Sequence, residues 1–366
     1  MVKKKILIVS RAFYPIIAPR SFRATELAKE LSNQGHDVVV LTHKRNYDYS
    51  SFEAQNGLLV KDFVYDSWIE IRGSTFIHKV LRFILNYLFL FPDIQLTWKL
   101  RKALSKLNGF DLLISIAVPY PVHWGVALAR KKNNNLCKIW VADCGDPFIG
   151  NKEDGLRKPF YFEYIEEWFC RNADFITIPV KEALTAYPIK YQEKIRVIPQ
   201  GFKFELRTID TFNNKKGEKI FFAYAGSLSK GFRDPSLFLE YLCNKDNIDF
   251  EFVVYTKDIG LIEPFLPRLL NKIKLRDYIP RDQLLVELKK MDFLLNVENI
   301  HDVQVPSKLI DFAITGRPIL TIKPFDLDKI KIDEFLSGNY DKQLIIENVE
   351  DYKIENVVMK FLYLNE

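Results

Sequence analysis

Short apolar runs without period-two alternation recur along this chain, and they restrict its fold more than any other feature. In the first two hundred residues they are KILIVS (5–10), DVVVLT (37–42), DLLISIA (111–117), KIWVAD (138–143), DFITI (174–178) and IRVIP (195–199). A strand that is apolar on both faces must be covered on both, as in a parallel sheet flanked by helices. Between the first two runs lies SFRATELAKELSNQGH, where Ala24, Leu27, Ala28 and Leu31 recur at helical spacing and Gly35 ends the helix. Helical stretches at 121–132 and 159–172 separate later runs. This alternation predicts a doubly wound α/β domain. It restarts after the polar stretch TFNNKKGEK (211–219), with FFAYAG (221–226), FEFVVY (250–255), DFLLNV (292–297) and PILTI (318–322), which predicts a second such domain. The expected division is 1–203, 204–349 and a terminal helix in 350–366 that returns to the first domain or stays with the second.

At 366 residues, 48% of them hydrophobic, the chain has material for two cores. A net charge of +6 suits anionic ligands without choosing among them. Cys137, Cys144, Cys170 and Cys243 form no CxxC pair and have no zinc-site spacing with histidine, so reduced thiols of a cytoplasmic protein are expected, with no metal. In MVKKKILIVSRAFYP, Arg11 interrupts the apolar run too early for a secretion signal, and the run reads as a first strand. The basic residues are dispersed and no helix-turn-helix or aromatic-basic RNA motif appears, so no nucleic-acid partner is expected.

Ligands of open α/β sheets bind beyond the carboxyl ends of the strands, so the loops there carry the candidate chemistry. VPSKLIDFAITGRPIL (305–320) reads as a helix and a strand. Pro306 suits the first helical position, and Val305 offers no side-chain oxygen to the free N–H groups of Ser307 and Lys308. Lys308 therefore sits where the helix end is already positive. An anion there would accept the N–H groups and pair with the lysine. Asp311 lies on the same face, within reach of ribose hydroxyls. A plainer account makes Ser307 the cap and Lys308–Asp311 an exposed pair contributing about 0.5 kcal/mol at most. In FFAYAGSLSKGFRDPSLFLEYL (221–242), Gly226 and Ser227 permit close approach of a ligand, Lys230 and Arg233 supply cations, and Asp234 with Pro235 opens a helix. Neither GxGxxG nor GxxxxGKS is present, against a dehydrogenase or a P-loop NTPase.

These residues, behind ILIVSRAFYPIIAPRSFRATELAKELSNQGHDVVVLT, resemble the family 4 retaining glycosyltransferases of GT-B fold over nearly the whole chain. PSKLIDFAITGRP is similar to the PSK-x-x-E-Y-x-x-x-GKP pattern of members that build bacterial surface polysaccharides such as capsule, O-antigen or exopolysaccharide. The resemblance implies two Rossmann-like domains facing each other across a cleft, and transfer of a sugar from a UDP- or GDP-sugar to an acceptor hydroxyl with retention and without a metal. It implies that Lys308 and Arg233 act on the donor diphosphate. Asp311 stands where the family has a ribose-binding glutamate. An acidic residue near the donor sugar is replaced by Val303, with Glu298 or Asp302 as substitutes. On the first domain, the loop containing Arg20 and Arg23 matches the segment between donor and acceptor. WVADCGDPFIGN is similar to the D-x-x-DP segment of the same subgroup, marking Asp143 on the acceptor side and Asp146 as catalytic. An Asx turn at Asp146 is the competing account. His123 matches a histidine near the donor sugar, and a structural histidine is the alternative. A GT-B nucleotide-sugar epimerase and a non-catalytic nucleotide-sugar-binding protein remain as alternative functions.

FIHKVLRFILNYLFLF (76–91) is too short and too charged to span a bilayer. It reads most simply as a core helix followed by a basic surface segment. The alternative is a helix lying in the membrane interface at the inner face of the plasma membrane, with 76–106 as peripheral contact and a polyprenyl-diphosphate-linked saccharide as acceptor.

Overall fold

The computed structural model describes residues 2–364 except 65–68, 146, 151–155, 205–218, 246 and 299–306. The chain divides into two units, Met1–Lys203 with Asp351–Glu366, and Phe204–Glu350.

The strands of the first unit are β1 (Lys5–Ser10), β2 (Asp37–Thr42), β3 (Leu59–Asp62), β4 (Phe110–Ile116), β5 (Cys137–Asp143), β6 (Phe175–Ile178) and β7 (Ile195–Val197). Its helices up to that point are α1 (Pro19–Asn33), α2 (Ser50–Asn56), α3 (Phe76–Phe89), α4 (Gln95–Leu104), α5 (Pro121–Lys132) and α6 (Tyr161–Asn172). The sheet is parallel, in the order β3-β2-β1-β4-β5-β6-β7. Ile8 stands opposite Val40 on one side and Ile114 on the other. Because β1 is apolar on both faces, Leu7 and Val9 enter one core with Trp140 and Phe169, while Ile6 and Ile8 enter the other with Leu27 of α1.

The second unit contains β8 (Ile220–Ala225), β9 (Phe250–Tyr255), β10 (Ile273–Arg276), β11 (Phe293–Val297) and β12 (Ile319–Ile322). Its helices are α7 (Ser236–Cys243), α8 (Leu266–Leu269), α9 (Arg281–Leu288), α10 (Ser307–Thr315) and α11 (Lys329–Leu336). This sheet too is parallel, in the order β10-β9-β8-β11-β12. Stacked phenylalanines fill one side: the Phe222 ring lies 4.6 Å from Phe252 and 4.5 Å from Phe293. Each sheet reverses its winding once, between β1 and β4 and between β8 and β11, which opens a crevice at the carboxyl ends of those strands.

The last helix, α12 (Ile354–Leu362), lies in the first unit. Ile354, Val357, Val358 and Phe361 join the core that contains Ala24, Leu27 and Leu31 of α1. At the point where the chain leaves and re-enters this unit, Phe202 N–H donates to Tyr352 O (2.8 Å) and Ile354 N–H to Phe202 O (2.9 Å). Gly201 permits this approach, since a Cβ there would sit 2.5 Å from Ile354 Cδ1.

Two short strands, β3 (LVKD) and β10 (IKLR), were absent from the expected set. Both are sheet edges, where lysines and short length replace the continuous apolar signal of central strands. The core-helix expectation for 76–91 is corrected: α3 has no buried residue, and Phe76, Ile77 and Phe83 are 79%, 76% and 57% exposed. Among the described residues no helix is long and apolar enough to cross a membrane.

Because α12 completes a core begun by α1, truncating Phe361, which is 1% exposed, to alanine is expected to cost about 3–5 kcal/mol in urea unfolding of this unit. Tyr363→Ala, at a position 40% exposed, should change it by less than about 0.5 kcal/mol.

Candidate functional site

The switch point of the second sheet brings two sequence-distant segments together. β8 ends at Ala225, and Gly226 follows with φ +143°, a backbone conformation that favours glycine. Its N–H donates to Tyr255 O (3.0 Å), which holds the turn to β9. α10, which follows β11, puts Lys308 over this turn: a Cβ on Gly226 would lie 3.4 Å from Lys308 Cδ and 3.5 Å from Nζ. Lys308 Nζ donates to Tyr224 Oη (3.2 Å) and lies 4.5 Å from that ring's centre. Tyr224 Oη in turn donates to Ser227 O (2.7 Å). Arg233 reaches the same turn and donates to Ser227 Oγ (3.2 Å). The loop that carries it is closed by Ser229 and Arg233 exchanging backbone hydrogen bonds (3.1 and 2.9 Å). Asp234 accepts from Ser236 N–H (3.0 Å), fastening the start of α7.

Lys308, Arg233, Gly226 and Ser227 thus converge, and Lys308 is half-buried. Among the described residues no carboxylate pairs with it. Burial and the nearby Arg233 charge hold the Lys308 ammonium well below its ordinary pKa, while burial pushes the Tyr224 hydroxyl up against the lowering effect of Arg233. Two cations brought together at one turn suit a multiply charged anion. Tyr224 was not singled out from the sequence. Its signal was its place one residue before the end of β8, where a core-facing ring leaves its polar tip at the strand end.

Asp311 lies one turn along α10 and is bound by Arg281 of α9, with Nε to Oδ1 2.8 Å and a second guanidinium nitrogen 2.5 Å from the same oxygen. Burial raises the Asp311 pKa, opposed by Arg281. The exposed pairing of Lys308 with Asp311 does not form; the aspartate's partner comes from a helix that carried no signal in the sequence. Lys230 is exposed, and Glu298 directly follows β11, its N–H donating to Ile322 O (3.0 Å). Val305, Pro306, Val303 and Asp302 lie outside the described residues, as does Asp146.

In the first unit, Arg23 and Asp143, both expected on the acceptor side, are each 3% exposed and satisfy one another. Arg23 donates from Nε and from a terminal nitrogen to the two Asp143 oxygens (3.0 and 2.9 Å), and to Pro199 O and Ile198 O. Thr177 Oγ1 donates to Asp143 Oδ1 (2.7 Å). Burial favours the neutral acid, but Arg23, Thr177 and Arg20 hold the Asp143 carboxyl below its usual range. Arg20 lies on Gly145, where a Cβ would sit 1.4 Å from a guanidinium nitrogen. His123 has no exposed surface: it stacks on Phe169 (5.5 Å), and burial pushes its pKa down to about 3. Its Nδ1 lies 2.7 Å from Ser115 Oγ, which accepts from Trp140 Nε1 (2.8 Å). The other ring nitrogen, Nε2, lies 3.5 Å from Cys144 Sγ. His123 is a core histidine here. Among the described residues no cluster of three His, Cys, Asp or Glu is arranged to hold a metal.

The sequence model of Glycosyltransferase Family 4 matches residues 22–206, just over half of the chain. The chain belongs to glycosyltransferase family 4. No curated protein matches its sequence. Solved structures share the two-domain GT-B fold of this family 4 glycosyltransferase at low identity. A glycosyltransferase from Rickettsia africae is 13% identical with a TM-score of 0.65, covering 100% of this chain and 98% of that one. Anabaena HepE in complex with UDP and glucose is 12% identical with a TM-score of 0.61, covering 99% of each chain. The lipopolysaccharide outer core galactosyltransferase WaaB is 12% identical with a TM-score of 0.57, covering 98% of this chain and 95% of that one.

Two pH and stability predictions follow from these environments. The depressed Lys308 pKa means that the unfolded chain binds this proton more tightly. Its cost to stability is thus full below the folded pKa and disappears as pH rises toward the ordinary lysine value. Lys308→Met should therefore raise the melting temperature of the second unit at neutral pH, as differential scanning calorimetry would register. Asp143 has the opposite sign: its contribution is present above the unfolded aspartate pKa and is lost as pH falls through the lower folded value. Asp143→Asn, which leaves Arg23 buried without a counter-charge, should cost about 3–5 kcal/mol at pH 7 and much less below the folded pKa.

Proposed function

We propose that the chain transfers a sugar from a UDP- or GDP-sugar, with retention, to a hydroxyl of a lipid-linked saccharide in surface-polysaccharide synthesis. The observation that carries this reading is the convergence of Lys308, Arg233 and the Gly226 turn at the switch point of the second sheet. Support also comes from HepE, which shares the fold and whose structure contains UDP and glucose.

In this reading the donor diphosphate lies between Lys308 and Arg233 at the amino end of α10, over the glycine that leaves room for it. As the glycosidic bond to phosphate breaks, negative charge grows on the leaving diphosphate. The cations and helix end then stabilise the transition state more than the ground state. They take the part that a metal ion plays elsewhere, so the reaction is proposed to need no metal. Tyr224 positions Lys308, and Arg281 positions Asp311 beside the ribose. Glu298 is the candidate for the acidic group that Val303 replaces, and Lys230 borders the donor. Val305, Pro306 and Ser307 are proposed to contact the donor phosphates, Asp146 to take a catalytic part and Arg20 to serve the acceptor side. The exposed apolar surface of α3 is the support for peripheral contact with a membrane through 76–106.

The test is incubation with a panel of radiolabelled UDP- and GDP-sugars and a lipid-linked saccharide, with extraction of the lipid product. Lys308→Ala and Arg233→Ala should each lower kcat/KM by about 10²–10³ while the protein stays folded. Epimerised nucleotide sugar without a lipid product, or wild-type turnover by Lys308→Ala, would overturn the reading.

A further inference from the structure

The buried face of α6 contains one residue that does not belong to an apolar stripe. Phe162, Glu166, Phe169 and Cys170 recur at helical spacing and are buried together, with Glu166 only 3% exposed. Its neighbours in sequence reach cations at the surface: Glu163 pairs with Arg157 (3.3 Å) and Glu167 with Lys190 (2.7 Å). Among the described residues no cation forms an ion pair with Glu166, and its hydrogen bond is a long one, Oε1 accepting from Ile149 N–H (3.4 Å). A buried carboxylate with so little to replace its hydration is unfavourable, so the fold either keeps this group neutral or opens to wet it.

What covers Glu166 is the stretch of chain that leaves β5. Phe148 enters a nest of rings, 4.8 Å from Tyr120 and 5.4 Å from Phe162, and Ile149 N–H then meets the carboxyl. Gly150 lies against the short 3-10 turn Lys181–Ala186, where a Cβ would sit 2.5 Å from Ala186 Cβ. At the other end of the stretch Arg20 lies on Gly145. The groups that face Glu166 from neighbouring elements are Tyr120 before α5, Cys144 after β5, Tyr187 after the 3-10 turn and Cys170 on α6. Burial pushes all four up, Cys144 to about 12, so they stay neutral at ordinary pH. The nearby cation is Lys158, its Nζ 5.1 Å from the centre of the Phe148 ring. Burial pushes the Glu166 carboxyl up to about 7, against the opposing pull of Ile149 N–H and Lys158 and with some help from Glu163 and Glu167. Glu166 is therefore the member of this cluster that changes charge near neutral pH.

Resting on the acceptor-side reading of Arg20 above, we propose that Glu166 is a positioning residue for sugar transfer: as the neutral acid it seats Phe148–Gly150 on α6, and its ionisation loosens that seat and with it the chain on which Arg20 lies. Opening lets the carboxylate reach water, so the open form has the ordinary glutamate pKa and the seated form the higher one. The contribution of the proton to the seat is full below the ordinary value and is lost as pH rises through about 7.

The experiment is hydrogen–deuterium exchange of the full chain, read on peptides covering Phe148–Gly150 and normalised to peptides of β8 and β9 in the second unit, together with infrared difference spectroscopy. Relative exchange of the stretch should rise about tenfold or more between about pH 5 and about pH 8. Glu166→Gln, whose side-chain carbonyl still accepts from Ile149 N–H but cannot ionise, should abolish that rise. A protonated-carboxyl stretch of the wild type should disappear as pH passes through about 7 and be missing from Glu166→Gln. In the transfer assay above, wild-type kcat should fall about tenfold over the same rise in pH with the donor KM unchanged, and Glu166→Gln should lose that dependence. Wild-type exchange that does not change with pH relative to the second unit, a spectrum without a carboxyl band lost near neutrality, or a Glu166→Gln chain that keeps the wild-type pH dependence would overturn the proposal. The first two are read on the wild type, so they decide even where the variant fails to fold. Exchange and infrared need no substrate, and a chain without transfer from any donor would count against the function reading alone.

Discussion

A lysine held over a glycine turn, with no carboxylate partner among the described residues, organises the candidate site of the second unit. Lys308 is half-buried, rests on the Tyr224 ring and shares its surroundings with Arg233, an arrangement that costs stability in the free protein. Folded proteins retain such costs where binding or catalysis returns them. Everything else in this corner serves to keep the cations in position: the Gly226 conformation, the hydroxyl of Tyr224, the closed Ser229–Arg233 loop and the Asp234 contact at the start of α7.

The first unit handles its buried charge in the opposite way. Arg23 and Asp143 satisfy each other and the carbonyls at the end of β7, and Thr177 completes the carboxylate's partners. This pair ties α1 to β5, β6 and the segment after β7 by which the chain leaves this unit. It is a structural clamp at the carboxyl ends of the strands, with Arg20 left beside Gly145 at its edge. Beneath it, the chain Trp140–Ser115–His123–Cys144 holds the imidazole inside an aromatic core.

Most of the sheet architecture is legible in the sequence. Central strands such as KILIVS and FEFVVY must be apolar on both faces, and that requirement writes itself into consecutive residues. The edge strands β3 and β10 escaped because one side of an edge is open and tolerates lysine. α3 was misread for a related reason. Apolar composition states that a helix prefers to leave water, and says nothing about whether protein or lipid covers it. At the site, glycine and cation positions on two loops were readable, whereas Tyr224 and Arg281 were not, because their importance comes from what they touch.

What the sequence determined alone is local: which segments are strands, where helices start and stop, and where a turn needs glycine. These depend on periodicity and on backbone conformations open to single residues. The tertiary structure decided the partners of each charge. Arg23 found Asp143 across 120 positions, and Asp311 was drawn to Arg281 instead of remaining beside Lys308. Coulombic and hydrogen-bond partnership is set by distance in space, and sheet winding, not sequence separation, fixes that distance.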